Sequence, residues 1–153
     1  MRARASQLAG VGVVAALAIA LDQLSKSWAL SALDGRSIDL VLGARLALTF
    51  NSGAAFSIGS GRPALFAGIA VITVVALSVF VARSPLNRVR IVAFGLIIGG
   101  ALGNVVDRLL RDHEGKVVDF IDLGWWPVFN VADSWLFIGV VLIMFDAWRG
   151  DRS

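Results

Sequence analysis

The hydrophobic and polar positions of the chain divide it into four long apolar runs separated by more polar segments. Each run, with its flanks, approaches the roughly 20 residues that an α-helix needs to cross the hydrocarbon core of a bilayer. The second run begins with Pro63, where a missing N–H interrupts no helical hydrogen bond. The pattern predicts transmembrane helices at about residues 8–30, 63–82, 89–110 and 134–148.

The first run follows Arg2 and Arg4 and could therefore be mistaken for a signal peptide. It is longer than the usual apolar region of a signal peptide, it continues through charged residues, and no convincing cleavage site follows it. We therefore expect it to be retained as a helix, so that residues 1–153 form a single membrane domain.

Four spans place both termini on the same side of the membrane. Half of the 14 basic residues share that side, where they lie in very short tails and a tight turn. The positive-inside rule applies best to such short segments, and it predicts cytoplasmic termini. The residues concerned are Arg2, Arg4, Arg83, Arg88, Arg90, Arg149 and Arg152.

Two polar segments, residues 33–62 and 111–132, are then expected on the outer side of the membrane. The first contains "SIDLVLGARLALTF", whose partial alternation and β-branched residues favour short strands. The second is interrupted by Gly and Pro and contains "VVDFI", which we expect to be extended. The predicted fold is an all-α integral membrane protein with four transmembrane helices and short strands outside.

The composition supports a membrane protein and excludes several other classes. Hydrophobic residues make up 58% of the chain and charged residues 16%, which is too apolar for an ordinary soluble fold. Without Cys there is no disulfide, thiol nucleophile or thiolate ligand, and one isolated His does not indicate a zinc or copper site. The scattered basic residues indicate membrane orientation and not nucleic-acid binding.

A charged side chain inside a span is costly and usually faces a partner or a cavity. Asp22 and Lys26 in "DQLSK" are four residues apart, so they share a helical face and can pair. We interpret them as a self-neutralising pair near the outer interface in preference to catalytic groups, because embedded charges usually pair.

The third run ends with polar residues after a stripe of glycines. Asn104 and Arg108 are again four residues apart, with Asp107 beside them. Arg108 either extends to lipid headgroups or, with Asn104, donates hydrogen bonds to the carbonyls of a bound chain, and spacing does not choose between the two. The glycines have the four-residue spacing typical of close helix packing: Gly95, Gly99 and Gly103.

The outer loop "TFNSGAAFSIGSG", residues 49–61, combines Asn, Ser and Gly. These residues are turn formers, and a turn is the simplest interpretation of the loop taken alone. The same small side chains would also allow the backbone of a substrate to approach closely.

Two carboxylates, Asp119 and Asp133, bracket the second outer segment. Taken separately, Asp133 is explained as a helix N-cap and Asp119 as a loop residue paired with Arg108 or Lys116. Taken together, they are suited to peptide hydrolysis, because two neighbouring carboxylates do not readily both ionise and so share a proton. One would act as general base on water and the other as general acid. Spacing does not rank this pair against the other acids of the region: Asp107, Asp112 and Asp122.

Five short motifs follow one another along the chain: "DQLSK" (22–26), "NSGAAF" (51–56), "GGALGNVVDRL" (99–109), "VVDFI" (117–121) and "FNVADS" (129–134). Each motif is weak alone, but five in this order on four spans form a specific pattern that covers nearly the whole chain. Taken together, they resemble the motifs of the lipoprotein signal peptidases, the type II signal peptidases of bacteria.

The resemblance implies an aspartyl endopeptidase of the bacterial inner membrane that works without a cofactor. It would cleave the signal peptide of a prolipoprotein immediately before a diacylglyceryl-modified Cys. Its expected partners are that substrate and membrane lipid, with no nucleic acid, and we expect a monomer. The resemblance also implies a small periplasmic β-cradle formed by residues 33–62, with a second periplasmic loop at residues 111–132.

The resemblance further implies roles for individual residues. The expected catalytic pair is Asp119 and Asp133. The positions that match the substrate pocket are Asn51, Asn104, Arg108 and Asn130. The positions expected to have a structural or supporting role are Asp22, Lys26, Gly53 and Asp107.

A small proton-coupled transporter or channel subunit is the alternative function. Asp22, Lys26, Asp107 and Arg108 would then form an intramembrane relay. That function predicts polar residues through the whole depth of the membrane, whereas we expect them to collect in its outer half. A purely structural scaffold, the third possibility, leaves the two carboxylates unexplained.

Overall fold

The computed structural model of the chain describes residues 2–53 and 63–150. Within these ranges four helices are long and apolar enough to cross a membrane, as predicted. The helices are α1 (Arg2–Ala32), α2 (Pro63–Arg83), α3 (Arg88–Leu110) and α4 (Val131–Gly150). The strands are β1 (Ser37–Asp39), β2 (Arg45–Asn51) and β3 (Val117–Asp122). The loop of small residues predicted at 49–61 is described only as far as Gly53, and residues 54–62 lie outside the described residues.

The helix α3 lies at the centre of the bundle and packs against the other three helices. A Cβ atom added at Gly95 would lie 2.5 Å from the side chain of Val14, and one at Gly99 would lie 2.7 Å from Ala18. At Gly103 it would lie 2.5 Å from a carboxylate oxygen of α1. The predicted packing role of this glycine stripe is therefore confirmed, and its partner is α1.

The three strands form one antiparallel sheet in the order β1, β2, β3. Thr49 on β2 stands opposite Asp119, and Asn51 stands opposite Val117. The predicted cradle at residues 33–62 contains β1 and β2, and a third strand from the second outer segment completes the sheet. The extended conformation predicted for "VVDFI" is confirmed by β3, although five of its six residues are buried and show no alternation.

The sheet packs on the C-terminal end of α1 through a small apolar core. Ala29, Leu33 and Phe120 are buried there, and Ile121 forms an additional bridge with Phe129. The side chains of β3 are thus brought against the ends of α1 and α4. This is the arrangement that positions the candidate site.

Polar residues also collect at the opposite end of the bundle, contrary to the prediction that they would be confined to the outer half. Asp146 on α4 pairs with Arg90 at 2.6 Å and accepts a hydrogen bond from Asn87 at 2.7 Å. Gln7 on α1 donates to the carbonyl of Ser84 at 2.9 Å. These contacts connect the helix ends to the α2–α3 turn, and they lie away from the candidate site.

Candidate active site

Asp119 is held on β3 with both carboxylate oxygens engaged. The side-chain amide of Asn51 donates to Oδ2 at 2.9 Å, and that of Asn130 donates to Oδ1 at 2.6 Å. The residue is only 1% exposed. Burial raises the pKa of the Asp119 carboxyl to about 7, and the nearby Asp133 carboxylate adds to the rise, while the two amide hydrogen bonds oppose it.

Asp133 lies in the first turn of α4, and its two oxygens are also engaged. Oδ1 accepts a hydrogen bond from the side-chain amide of Asn104 at 2.9 Å, and Oδ2 accepts one from the backbone N–H of Asn130 at 3.2 Å. In return, the Asp133 N–H donates to Oδ1 of Asn130 at 3.0 Å. This reciprocal pair is a capping box. The interpretation of Asp133 as the N-cap is therefore wrong, because Asn130 is the cap.

Asn130 connects the two acids through its side chain and backbone. It is fully buried, and its amide nitrogen donates both to Asp119 and, at 3.2 Å, to Oδ1 of Asn104. Since its own oxygen accepts the Asp133 N–H, the orientation of its amide group is determined. A single side chain thus spans the distance between β3 and the start of α4.

A cluster of charged side chains lies directly beneath these residues. The Lys26 Nζ atom lies 2.9 Å from Asp22 Oδ2 and 2.9 Å from Asp107 Oδ2, and all three side chains are fully buried. Lys26 also donates to Asn104 Oδ1 at 3.0 Å. The predicted pair of Asp22 and Lys26 is confirmed, but the pair is joined by a second acid from α3.

Two members of this cluster were missed by the sequence analysis. Arg111 pairs with Asp107 at 3.1 Å, and its Nη2 atom donates to Gln23 Oε1 at 3.0 Å. Gln23 in turn donates to Asp107 at 2.9 Å. The available signals were the four-residue spacing of Asp107 and Arg111 and the position of Gln23 inside the "DQLSK" motif.

Arg108 extends towards the loop that follows β2. Its Nη2 atom donates to the carbonyl of Gly53 at 3.2 Å, while the Gly53 N–H donates to Asn51 Oδ1 at 3.0 Å. Its Nε atom is buried and has no acceptor among the described residues. The expected pairing of Asp119 with Arg108 or Lys116 is wrong, since Asp119 accepts from the two amides and Lys116 pairs with Glu114.

Two of the competing carboxylates, Asp122 and Asp112, have surroundings different from those of Asp119. Asp122 accepts a hydrogen bond from the Gly124 N–H and pairs with Arg45 at 2.7 Å, and these contacts lower its pKa. Asp112 lines an open surface cavity of about 240 Å³ beside Phe50. Neither carboxylate shares a hydrogen-bond partner with Asp133 among the described residues, whereas Asp119 shares Asn130 with it.

Comparison with known proteins identifies the family to which this arrangement belongs. The profile of the family described as "Signal peptidase (SPase) II" matches residues 14–149. This chain belongs to the signal peptidase II family. As a member of that family it is an aspartic peptidase, which decides against the alternative of a proton-coupled transporter or channel subunit.

Lipoprotein signal peptidases of other bacteria match the chain over most of its length. The lipoprotein signal peptidase of Syntrophomonas wolfei is 40% identical over 143 residues, covering 90% of this chain and 94% of the relative. That of Shewanella amazonensis is 42% identical over 142 residues, covering 86% and 83% of the two chains.

The fold is also similar to solved structures. A bacterial membrane enzyme solved by the in meso method at 2.3 Å resolution superposes with a TM-score of 0.79 at 35% identity, covering 90% of this chain and 86% of that chain. The fold of four long helices with a three-stranded sheet is thus that of a multi-pass membrane enzyme.

Proposed function

We propose that Asp119 and Asp133 are the catalytic pair with which this signal peptidase removes signal peptides from prolipoproteins. The observation that carries the proposal is the link through Asn130, which donates to Asp119 and forms a capping box with Asp133. Each carboxylate accepts two N–H groups. The side-chain amide of Gln23 also bridges Asp22 and Asp107, but those two acids are neutralised by the shared cation Lys26.

The proposed mechanism uses one proton shared between the two acids. Burial raises the pKa of Asp119 to about 7, so we assign the shared proton to Asp119 and the role of general base to Asp133. Asp133 takes a proton from water as the water oxygen bonds to the scissile carbonyl carbon, and Asp119 gives its proton to the carbonyl oxygen. The C–N bond then breaks, and the leaving amine takes the proton from Asp133.

The remaining proton transfers return both acids to their starting protonation states. When the tetrahedral intermediate collapses, one of its hydroxyl protons returns to Asp119, and the products are a carboxylic acid and an amine. Each oxygen of the pair keeps a fixed N–H partner throughout, which holds the carboxylates in place while the protons move. The mechanism needs neither metal nor cofactor.

We further propose that Asn51, Asn104, Arg108 and Asn130 line the substrate pocket. Arg108 provides the main support, since its buried Nε–H has no acceptor among the described residues. An unpaired buried donor costs free energy, and a carbonyl of a bound substrate would satisfy it. This favours substrate contact over extension to lipid headgroups. Gly53 supports the pocket through its contact with Arg108.

The proposed substrate carries a diacylglyceryl group on the Cys that follows the scissile bond. Because this lipid stays in the bilayer, the bond is presented at the membrane interface. The candidate site lies at the C-terminal ends of α1 and α3 and the N-terminal end of α4. We therefore propose a bacterial cytoplasmic membrane location, with both termini in the cytoplasm and the site on the outer face, in agreement with the positive-inside rule.

The experiment that tests the proposal uses the purified protein, a diacylated precursor and its unlipidated twin. We expect the protein to cut only the diacylated precursor, and we expect Asp119→Asn and Asp133→Asn to abolish cleavage while the protein still inserts into membranes. Asp122→Asn is the matched control, since it changes an acid on the same strand outside the pair. Substantial turnover by either of the first two variants removes that residue from the mechanism.

A further inference from the structure

The two acids that pair with Lys26 also hold the backbone next to the proposed catalytic residues. Asp22 Oδ1 accepts the N–H of Ala132 at 2.9 Å, and Ala132 directly precedes Asp133. Asp107 Oδ2 accepts the N–H of Val118 at 3.1 Å, and Val118 directly precedes Asp119. Each of these acids therefore anchors the residue before one member of the pair.

Lys26 joins these two anchors and adds a third connection to the site. It brings Asp22 on α1 and Asp107 on α3 to a common nitrogen at 2.9 Å each, and it donates to Asn104 Oδ1 at 3.0 Å. An ammonium group can only donate, so the oxygen of Asn104 must face Lys26. The nitrogen of Asn104 is consequently directed towards Asp133, to which it donates at 2.9 Å.

We propose that Lys26 is a positioning residue that sets the separation and the hydrogen bonding of the Asp119–Asp133 pair. It acts on the main chain through Asp22 and Asp107, and on the Asp133 carboxylate through Asn104. The inference rests on the proposed function, since this role exists only if the two acids perform the chemistry.

Stability alone does not account for this cluster. Well-packed apolar residues are often as stabilising as a buried ion pair of similar volume, because the charges must first lose their water. An entirely apolar centre would serve helix packing, but it would leave the N–H groups of Ala132 and Val118 without acceptors. The three charged side chains instead lie where they bind the N–H groups of Ala132 and Val118 and the side-chain oxygen of Asn104.

Replacing Lys26 alone would leave two buried acids without their cation, so the experiment needs variants that protect the fold. The double variant Asp22→Asn/Lys26→Met removes one charge of each sign, and Arg111 remains paired with Asp107. The oxygen of Asn at position 22 can still accept the Ala132 N–H. The second variant, Lys26→Arg, keeps the charge but replaces the compact ammonium by a planar fork that does not fit three acceptors around one nitrogen.

The measurements are the melting temperature, kcat and KM with the diacylated precursor. For both variants we expect a folded protein, a KM within about threefold of the parent and a kcat reduced about 100-fold, as expected when reacting groups are displaced by about 1 Å. The matched control is Arg111→Met, which also removes a base paired with Asp107 but has no contact with Asn104 among the described hydrogen bonds. It should lower the melting temperature and keep kcat within about threefold.

A folded Lys26 variant with kcat close to that of the parent would overturn the proposal, as would a rise in KM with kcat unchanged. Failure of both variants to fold, with Arg111→Met folded, would make Lys26 a residue of stability only and would overturn it too. Asp119→Asn and Asp133→Asn belong in the same assay. If they are inactive and the Lys26 variants are active, the positioning role alone fails; if they are active, the proposed catalytic pair fails and the inference with it.

Discussion

The side-chain nitrogen of Asn130 lies 2.6 Å from Oδ1 of Asp119, and both residues are almost completely buried. The same Asn130 caps α4 by accepting the N–H of Asp133. One residue therefore ends a loop, starts a helix and connects two acids that lie 14 positions apart in the sequence. Its contribution to helix stability and its contribution to the site can be separated by experiment.

Asn130→Ala should lower both stability and activity. The lost cap should cost about 1 kcal/mol, and the lost donor to Asp119 should lower kcat by about 100-fold or more, as for other buried donors in active sites. The measurements are thermal unfolding and turnover of the diacylated precursor.

Asn87→Ala is the matched control for this variant. Asn87 caps α3 by accepting the N–H of Arg90 at 2.9 Å, at the end of the bundle away from the site. We expect it to lose similar stability and to keep its activity. Equal losses of activity in the two variants would mean that the cap alone explains the effect of Asn130.

Asp119 should make the stability of the protein depend on pH. Its folded-state pKa of about 7 lies above the ordinary value of 3.8, so the folded chain binds more protons than the unfolded chain between these values. The stabilisation is fully present below pH about 4 and is lost as the pH rises through about 7. A shift of about three units corresponds to at most about 4 kcal/mol.

Asp119→Asn should therefore remove this loss of stability. Relative to the parent, we expect its melting temperature to rise by several degrees between pH about 4 and about 8. The change with pH is the test, since the amide also alters two hydrogen bonds by an amount independent of pH. Asp122→Asn should show no such rise in this range, because Gly124 and Arg45 lower the pKa of Asp122, so its stabilisation is present above pH about 4 and is lost only as the pH falls further. Parallel curves for the parent and the Asp119 variant would contradict the prediction.

Gly99 should be essential for the packing of α3 on α1. A Cβ atom at this position would lie 2.8 Å from the backbone oxygen of Ala15, which cannot move without displacing the helix. Gly99→Ala should cost about 1–3 kcal/mol by overpacking, measured as a lower melting temperature. Gly12→Ala is the control on α1, because nothing lies within 4 Å of the added atom. A Gly99 variant as stable as the Gly12 variant would refute the packing role.

The hydrophobic pattern predicted the four helices because the thickness of the bilayer determines how long each apolar run must be. The ends of the helices were predicted less accurately. The helix α4 begins at Val131, three residues before the predicted start, because Asn130 and Asp133 form a capping box. The three-residue spacing of these side chains was present in "FNVADS", and the error was to take the second residue as the cap instead of the first.

The sheet and the site were less accessible to sequence analysis for a physical reason. β3 is buried on both faces, so it has no alternation, and its pairing with β2 joins residues that are far apart in sequence. The pair of Asp22 and Lys26 follows from helical spacing alone. The contact of Lys26 with Asp107 does not follow from helical spacing, since it depends on how α3 lies against α1.

Arg108 should be sensitive to the shape of its side chain as well as to its charge. Its two terminal nitrogens donate to the backbone of Asn104 and Gly53, while Nε remains for the proposed substrate carbonyl. Arg108→Lys keeps the charge and loses the planar fork. We expect KM for the diacylated precursor to rise about tenfold, which corresponds to the loss of one charged hydrogen bond, with a melting temperature close to that of the parent.

Arg45→Lys provides the matched control for this change. Arg45 on β2 also binds a neighbouring group through its guanidinium, the carboxylate of Asp122. It is half-exposed and lies away from the proposed pocket. Arg45→Lys should leave KM and the melting temperature nearly unchanged, since an exposed ion pair contributes little to stability. If Arg108→Lys instead lowers the melting temperature and leaves KM as it was, Arg108 holds the Gly53 loop in place and does not bind the substrate.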